Sequence, residues 1–371
     1  MEGLEVNAAG LRAAYAGKRV FLTGHTGFKG AWLALWLKNL GAEVTGYALA
    51  PDQPKGIFLA AGVEQACEHH LGDVRDPDAV RAAVVAARPD IVFHLAAQPL
   101  VRKSYDEPLL TLDTNVRGTA HVLEALKALK GPVACVVVTS DKCYENQEWI
   151  FGYREVEPMG GHDVYSMSKA AAELVTASWR RSFFPTAKIS QHGVKVATAR
   201  AGNVIGGGDW AADRIVPDAI TALCEGKPIG VRSPKSVRPW QHVLEPLGGY
   251  LWLGAKLLGP QPAPFCEAWN FGPDFSSTVA VAPLVEKLIS AWGSGRWEDL
   301  SDPEAKHEAS LLRLAIEKAQ TRLGWSPRWG LDDAVANTVA WYREQLKGAG
   351  PLKLAALCEA QLEAYLQVAP T

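Results

Sequence analysis

Two short segments of the chain carry side chains able to move protons. Val136-Val137-Val138-Thr139-Ser140-Asp141-Lys142 ends in a hydroxyl, a carboxyl and an amine, and Tyr165-Ser-Met-Ser-Lys169 follows downstream. The valines are β-branched and read as a buried strand. Ser140, Asp141 and Lys142 then fall at its carboxyl end, where open α/β sheets bind ligands. Tyr165 and Lys169 stand four apart in a helical run from Tyr165 to Phe184, which puts both on one face, with the ammonium lowering the phenol's pKa toward a usable base. The same spacing also suits an ordinary exposed helix, so the chemistry depends on what surrounds the pair.

The amino-terminal elements supply a reason to place that pair at a ligand site. Arg19-Val-Phe-Leu-Thr23 reads as an apolar strand, and Gly24-His25-Thr-Gly27-Phe28-Lys29-Gly30 opens an amphipathic helix through Trp32, Leu33, Leu35, Trp36 and Leu40. In a strand–turn–helix unit Gly24 allows the tight turn, Gly27 lets the backbone approach a pyrophosphate, and Gly30 lets the helix pack closely on the sheet. A plain turn is the alternative, and the bracketing strand and helix favour nucleotide binding. After the second strand, Glu43–Ala48, the residues Tyr47, Ala48, Leu49 and Ala50 bring no charge of either sign to read a ribose, which leaves NAD and NADP both open. Asp73, followed by Val74, stands where the adenine end would lie, or caps the helix before Pro77.

Strand-like Ile91–Leu95, a long helix from Leu109 to about Leu129, a strand from Ala134 to Thr139, the Tyr165 helix and a strand from Val194 to Arg200 alternate as a doubly wound, Rossmann-type parallel sheet requires. His94, in an apolar strand, reads as a satisfied core histidine. Beyond Arg200 the texture changes to the glycine-dense Ala201–Trp210, then Arg214-Ile-Val-Pro217 and Arg238-Pro-Trp-Gln-His242. Asn203 and Arg238 suit a pyrophosphate, and Trp210 or Trp240 could cover a ring or belong to the core. The domain reading is a dinucleotide-binding domain over 18–200 with 238–262 returning to it, a substrate lobe from 201–237 and 263–345, and a tail or helix over 346–371.

With 371 residues and 48% hydrophobic content the chain can bury one large core or two unequal ones. A net charge of -2 argues against nucleic acid or a membrane as the main partner. The six cysteines, at 67, 135, 143, 224, 266 and 358, show no metal or C-x-x-C spacing and read as reduced thiols of a cytoplasmic protein. Met1–Gly17 lacks a basic start and an apolar core, and no stretch suits a bilayer.

The segments Gly24–Gly30, His94-Leu95-Ala96-Ala97-Gln98, Thr139-Ser-Asp-Lys-Cys-Tyr-Glu-Asn146, Tyr165-x-x-x-Lys169, Ala199–Trp210 and Arg238–His242 together resemble the extended short-chain dehydrogenase/reductases, and among them the nucleotide-sugar 4,6-dehydratases that act on CDP-glucose. The resemblance runs from about Lys18 to the Lys318 and Trp325 region. It implies bound NAD along Gly24, His25, Gly27, Phe28, Lys29, Gly30, Asp73, Val74, Leu95, Ala96 and Ala97, with Tyr165 and Lys169 at the nicotinamide end. It also implies a nucleotide sugar against Gln98, Asn115, Asn203, Trp210, Arg214 and Arg238. By the same resemblance Tyr165 takes the C4 hydroxyl proton, Ser140 holds the C4 oxygen, Asp141 protonates the departing C6 hydroxyl and Lys142 takes the C5 proton. Arg102, Lys103 or the nicotinamide cation would favour a neutral Lys142, which could instead bind phosphate. Related dTDP-glucose enzymes carry Asp-Glu where this chain has Asp141-Lys142, and Gly160–Val164 and Met167 depart from the pattern. The resemblance also implies that the two long helices pair into a homodimer or higher homo-oligomer. Another nucleotide-sugar 4,6-dehydratase, a 4-epimerase or a non-catalytic nucleotide sensor on the same fold are the other readings.

Overall fold

The structure, a computed structural model, describes residues 8–302 and 311–369. The first seven residues of the segment read for targeting, and the last two of the tail, lie outside it. Five strands occur where apolar, β-branched runs predict them, β1 (Arg19–Thr23), β2 (Glu43–Ala48), β4 (Ile91–His94), β5 (Val133–Val138) and β6 (Val194–Arg200), and a sixth, the polar and largely exposed β3 (Glu68–Leu71), forms where no such run predicts one. With a seventh, Ala268–Asn270, they form one parallel sheet in the order Ala268–Asn270, β6, β5, β4, β1, β2, β3. The order reverses at β1, so the carboxyl ends of β1 and β4 open a crevice between diverging crossovers. The seventh strand corrects the domain reading at one point: 263–345 begins with chain that belongs to the central sheet.

All six residues of β5 are buried, as expected of a strand covered on both faces. His94 at the end of β4 is buried, with Nδ1 bonded to Thr23 Oγ1 at 2.8 Å and Nε2 to Thr119 Oγ1 at 3.2 Å, a satisfied core histidine. The long helix predicted from Leu109 is helical from Pro108 to Leu126 but carries a π-helical turn over Asp113–Arg117. Such turns insert an extra residue and re-aim a side chain. Here the side chain is Asn115.

The helix Phe28–Asn39 is buried on nearly every side, Trp32 and Trp36 completely. That overturns its reading as amphipathic. Its outer face is covered by the helix Pro351–Gln367, whose Leu354, Cys358, Leu362 and Tyr365 are buried, with Tyr365 edge-on to Trp36 at 5.7 Å. The carboxyl-terminal segment is therefore a packed element of the core. Each fully buried leucine there contributes about 1.5–3 kcal/mol. All six cysteines are free thiols. Among the described residues no helix is long and apolar enough to cross a membrane.

Glu245, on the helix Leu244–Leu258, latches this last helix. Its carboxylate accepts the backbone N–H groups of Arg328 and Trp329 and, at 3.0 Å, the Tyr365 hydroxyl. Burial nonetheless raises its pKa from 4.5 to about 7. A carboxyl whose folded pKa is raised contributes stability present below about pH 4.5 and lost as pH climbs through 7. The stability of the protein against thermal unfolding is expected to fall over that window by roughly 3 kcal/mol at most from this group. Glu245→Gln should flatten that part of the slope, whatever its effect on baseline stability, in melting temperatures measured from pH 5 to pH 8.

Candidate active site

A cleft of about 950 Å³ runs along the carboxyl ends of β1, β2, β4 and β5 and is closed on its far side by the chain after β6. At one end lies the glycine turn. Gly24 has a φ of +76°, and a Cβ on Gly30 would stand 2.1 Å from the Gly24 carbonyl oxygen, so only glycine lets the helix start so close to β1. A Cβ on Gly27 would meet nothing nearer than 3.5 Å within the protein. Its bareness serves what approaches from the cleft. The helix that begins at Phe28 has no side-chain cap, which leaves its first N–H groups and positive dipole end for an anion.

The predicted dinucleotide residues divide. Gly24, Gly27, Phe28, Lys29, Gly30, Asp73, Val74, Leu95, Ala96, Ala97, Tyr165 and Lys169 all line the cleft. His25 does not. It is buried, with Nε2 2.6 Å from His69 Nδ1 and its ring edge-on to Phe58, and burial lowers its pKa to about 4. Tyr47, at the expected ribose position, is packed against Gly72 and donates to Asp73 O at 3.2 Å. Asp73 is not the helix cap: Asp76 accepts from Asp78 N and Ala79 N. Asp73 instead holds the Arg75 guanidinium and backbone N–H, which keep its carboxyl below the usual range. Asp52 and Arg75 also line this end. Neither was legible in the sequence, because a loop decides where they point.

At the other end, β5 delivers Ser140, Asp141 and Lys142 to the cleft opposite Tyr165 and Lys169. Asp163 caps the helix Val164–Ser182 through Ser166 N, and Ser104 Oγ accepts Tyr165 N at 3.1 Å, which fixes the start of that helix. Tyr165 and Lys169 are both buried, but their expected mutual effect is not what the geometry gives. Lys169 Nζ points to Val138 O at 3.4 Å, and burial lowers its pKa to about 8. Burial raises the Tyr165 phenol to about 12, opposed by a hydrogen bond with Ser140 and by the nearby charge of Arg214. Without a cationic ligand beside it, the phenol holds its proton at neutral pH.

Asp141 is 1% exposed. Its Oδ1 accepts from Ser140 Oγ at 3.1 Å, and no hydrogen-bond partner lies at its Oδ2 among the described residues. A Cβ on Gly202 would come within 1.8 Å of that Oδ2, so the glycine directly after Ala201 is what makes room for the carboxyl. Gln241 holds this backbone in place, donating to Gly202 O at 3.0 Å and Phe271 O at 3.2 Å. Lys29 faces Asp141, Lys169 and Arg214, and burial with those cations lowers its pKa to about 8. Lys142 is partly exposed on the cleft wall. The cations expected to act on it are charge-balanced, Arg102 by Asp213 at 3.3 Å and Lys103 by Glu107 at 3.8 Å.

Of the predicted substrate residues, Asn203, Arg214 and Arg238 line the cleft. Asn203 has a φ of +48° and a buried Oδ1 with no hydrogen-bond partner among the described residues, and Arg214 is anchored by Asp209 at 2.7 Å. Trp210 is turned away, its indole donating to Gln345 Oε1 at 3.1 Å and its ring meeting Tyr342, whereas Trp240 lines the cleft. Asn115 is buried beneath the site. It donates to Gln98 O and Ser168 Oγ and accepts Gln98 N, which makes it a positioning residue. Gln98 lines the cleft, yet its amide is spent on Leu100 and Thr111.

A nucleotide-sized cleft at the switch point of a parallel sheet, with a phenol, a carboxyl and amines at one end, defines a dinucleotide-dependent enzyme of the Rossmann class. The profile of the NAD dependent epimerase/dehydratase family matches residues 20–260, and the chain belongs to that family. It is 48% identical over 334 residues to CDP-glucose 4,6-dehydratase of Salmonella typhimurium, covering 90% of this chain and 93% of that protein. It is 31% identical to dTDP-glucose 4,6-dehydratase of Streptomyces antibioticus, covering 82% and 81%. Among solved structures, dTDP-glucose 4,6-dehydratase of Streptomyces venezuelae, determined with NAD bound, superposes with a TM-score of 0.74 at 22% identity over 90% of this chain and 99% of that one. UDP-glucose 4-epimerase of Thermotoga maritima gives 0.75 at 22% identity, covering 88% and 99%. The last two likenesses speak to the fold.

The contact between Gly202 and Asp141 yields a specific expectation. Gly202→Ala should displace the carboxyl and lower kcat by about 100-fold, since an error near 1 Å is enough for that. Dinucleotide affinity, measured by calorimetry on the same folded preparation, should be unchanged.

Proposed function

We propose that the chain is an NAD-dependent hydro-lyase that converts CDP-glucose to CDP-4-dehydro-6-deoxyglucose. The observation that carries this reading is the convergence of Ser140, Asp141, Lys142, Tyr165 and Lys169 in one cleft, with Gly202 cleared for the buried carboxyl. The 48% identity to a CDP-glucose enzyme over nearly the whole chain supports the substrate. The free cleft-facing side of Gly27, the uncapped helix and the lining residues fit a dinucleotide. Tyr165 and Lys169 would stand at its nicotinamide end, and the group would supply reversible hydride transfer between C4 and C6 of the sugar.

The protein's own groups move the protons. Tyr165 as phenolate takes the C4 hydroxyl proton, and the Lys169 ammonium holds the ribose and favours that phenolate. The ketone at C4 acidifies the C5 hydrogen, which Lys142 removes, while Asp141 in its acid form protonates the C6 oxygen as the C6–O6 bond breaks. Lys142 later returns its proton to C5. Arg238 and Asn203 are assigned to the diphosphate and Arg214 to the sugar end, with Asn115 and Gln98 ordering the wall behind them. We place the dinucleotide site on 18–200 and 238–270, and the nucleotide-sugar lobe on 201–237 and the chain after 270. The exposed Leu109 and Leu174, on the helices expected to pair, support a homodimer. The six free thiols fit a reducing cytoplasm.

Incubation of the protein with CDP-glucose and catalytic NAD should give a sugar nucleotide lighter by one water, without net NADH, and parallel dTDP, UDP and GDP sugars should be unchanged. Tyr165→Phe should lower kcat by about 10²–10⁴-fold, the range of a lost general base. An unchanged mass with CDP-glucose overturns the reading. Asp141→Asn should abolish water loss, and an enzyme of that variant that still eliminates water removes the acid role. Size-exclusion chromatography across a wide concentration range should place the protein at dimer mass.

A further inference from the structure

The reaction just described, on which this inference rests, passes through a stage at which the sugar must not leave. After hydride transfer from C4 the sugar is a ketone and the dinucleotide is reduced. Return of the hydride needs C6 of that same sugar, once its hydroxyl has gone. A molecule that escapes as the C4 ketone is the substrate less two hydrogens, one passed on as hydride and one taken by Tyr165 as a proton. The enzyme it leaves behind holds a reduced dinucleotide, which cannot oxidise the next CDP-glucose. The cleft therefore needs a hold on the sugar nucleotide that lasts through the oxidised stage and yields after it.

Charge joins the two walls of the cleft at the end where Tyr165 lies. Arg102, on the helix Val101–Asp106, belongs to the dinucleotide side, and Asp213 and Arg232 belong to the lobe formed after β6; all three line the cleft. Asp213 Oδ1 receives Arg232 Nη1 at 2.6 Å and Arg102 Nη1 at 3.3 Å. The two contacts are unequal. Arg232 also donates through Nη2 to the Asp213 carbonyl at 3.4 Å, so it grips side chain and backbone within its own lobe, whereas Arg102 reaches across at a longer distance. The Arg232 hydrogen bond and the Arg102 charge hold the Asp213 carboxyl below its usual range, which keeps it ionised at neutral pH. The side chains of Arg102 and Asp213 are 46% and 43% exposed, which puts the crossing contact at the mouth of the cleft. Both ends lead to the tyrosine. Ser104, on the Arg102 helix, accepts Tyr165 N at 3.1 Å, and Arg214, the neighbour of Asp213, acts on the phenol by its charge.

We propose that Arg102, Asp213 and Arg232 form a latch across the cleft mouth that keeps the oxidised sugar nucleotide on the enzyme until hydrogen has returned to C6. With the Arg102 contact made, the walls stand closed over the sugar end. With it broken, Asp213 stays on Arg232 and the mouth opens on the Arg102 side. An exposed ion pair is weak and screened by salt, and that weakness suits the task, since a buried bridge would retain the product as well. Motions of this kind run on the microsecond to millisecond scale, fast enough for one opening in each turnover. The three side chains exchange no proton or electron with the sugar. They are positioning residues, and they act by holding the walls together.

The test is to give the holoenzyme excess CDP-glucose without free NAD, and to follow both the NADH absorbance of the protein and the masses of the released sugar nucleotides. Arg102→Gln should stall with NADH on the enzyme and release a sugar nucleotide lighter than the substrate by two hydrogens. The amount released per turnover should exceed that of the wild type by about fivefold, the factor equivalent to the ~1 kcal/mol at the upper end for an exposed pair. Asp213→Asn should do the same, and asparagine tolerates the left-handed backbone found there, φ +64°. Arg102→Lys, which keeps the charge, should stay near the wild type. Added salt should raise the escape from the wild type toward the Arg102→Gln level and leave that variant unchanged. If Arg102→Gln and Asp213→Asn lose no more oxidised sugar per turnover than the wild type, whatever their kcat, the latch is overturned. A higher KM for CDP-glucose with no such release also overturns it, because the residues then serve only the entry of substrate. A wild type that makes no product from CDP-glucose defeats the parent reading instead, before any variant is made.

Discussion

A buried ion pair fixes the frame on which the site is built. Glu173 and Arg200, 2.8 Å apart and both nearly inaccessible, join the helix that carries Tyr165 and Lys169 to the end of β6. The same carboxylate accepts the hydroxyls of Thr139, at the end of β5, and of Thr198 in β6. Arg200 reaches on to the Tyr144 hydroxyl, which donates to Asn270 on the seventh strand. Four elements are tied at one point, directly behind Ser140 and two residues before Gly202. A pair of this kind adds little net stability over an apolar substitute, yet loss of one partner costs about 3–5 kcal/mol because a buried charge is stranded. Its value here is geometric, since the catalytic helix can shift against β5 only by breaking it.

The electrostatics of the cleft follow from that enclosure. Lys29 and Lys169 are both lowered to about 8 by burial, and the Tyr165 phenol is raised to about 12. Dry surroundings push each of these groups toward its neutral form. A positive nicotinamide beside them would reverse the balance for the phenol, which couples the presence of the oxidised cofactor to the readiness of the base. The positive character of the site is thus conditional on what is bound; Asp141, held between Ser140 and Gly202, is the carboxyl that faces Lys29, and Glu173 is the one that faces Lys169.

The far wall is held from a distance. Tyr342, on the helix Leu331–Leu346, donates to the Asp209 carbonyl, and Asp209 anchors Arg214 in the cleft. Gly207 lies against Trp341, close enough that a Cβ would stand 2.1 Å from its ring. Gln345 bridges Trp210 and the Lys55 carbonyl. The glycine-dense loop owes its shape to these aromatic residues more than to its own turns, and Trp210 is spent in that packing.

Five of the strands, the glycine turn, and the placement of Ser140, Asp141, Lys142, Tyr165 and Lys169 at one end of the sheet were determined by the sequence, because each depends on local period and on the rule that parallel strands present their carboxyl ends to ligands. What those side chains do to one another depended on tertiary structure. Helical spacing placed Tyr165 beside Lys169, but burial decided the phenol's state, and the partner of Lys169 proved to be the Val138 carbonyl. The motif showed His25, Asn115 and Trp210, while packing turned them into supports. Gly202 was one glycine among several until β5 and the loop after β6 met, and the choice between tail and helix for the carboxyl-terminal segment is decided by packing, where the helix covers the two tryptophans of the Phe28 helix. Contacts between residues far apart in the chain leave no period to read, so the sequence named the candidate groups and the fold assigned their burial and their neighbours.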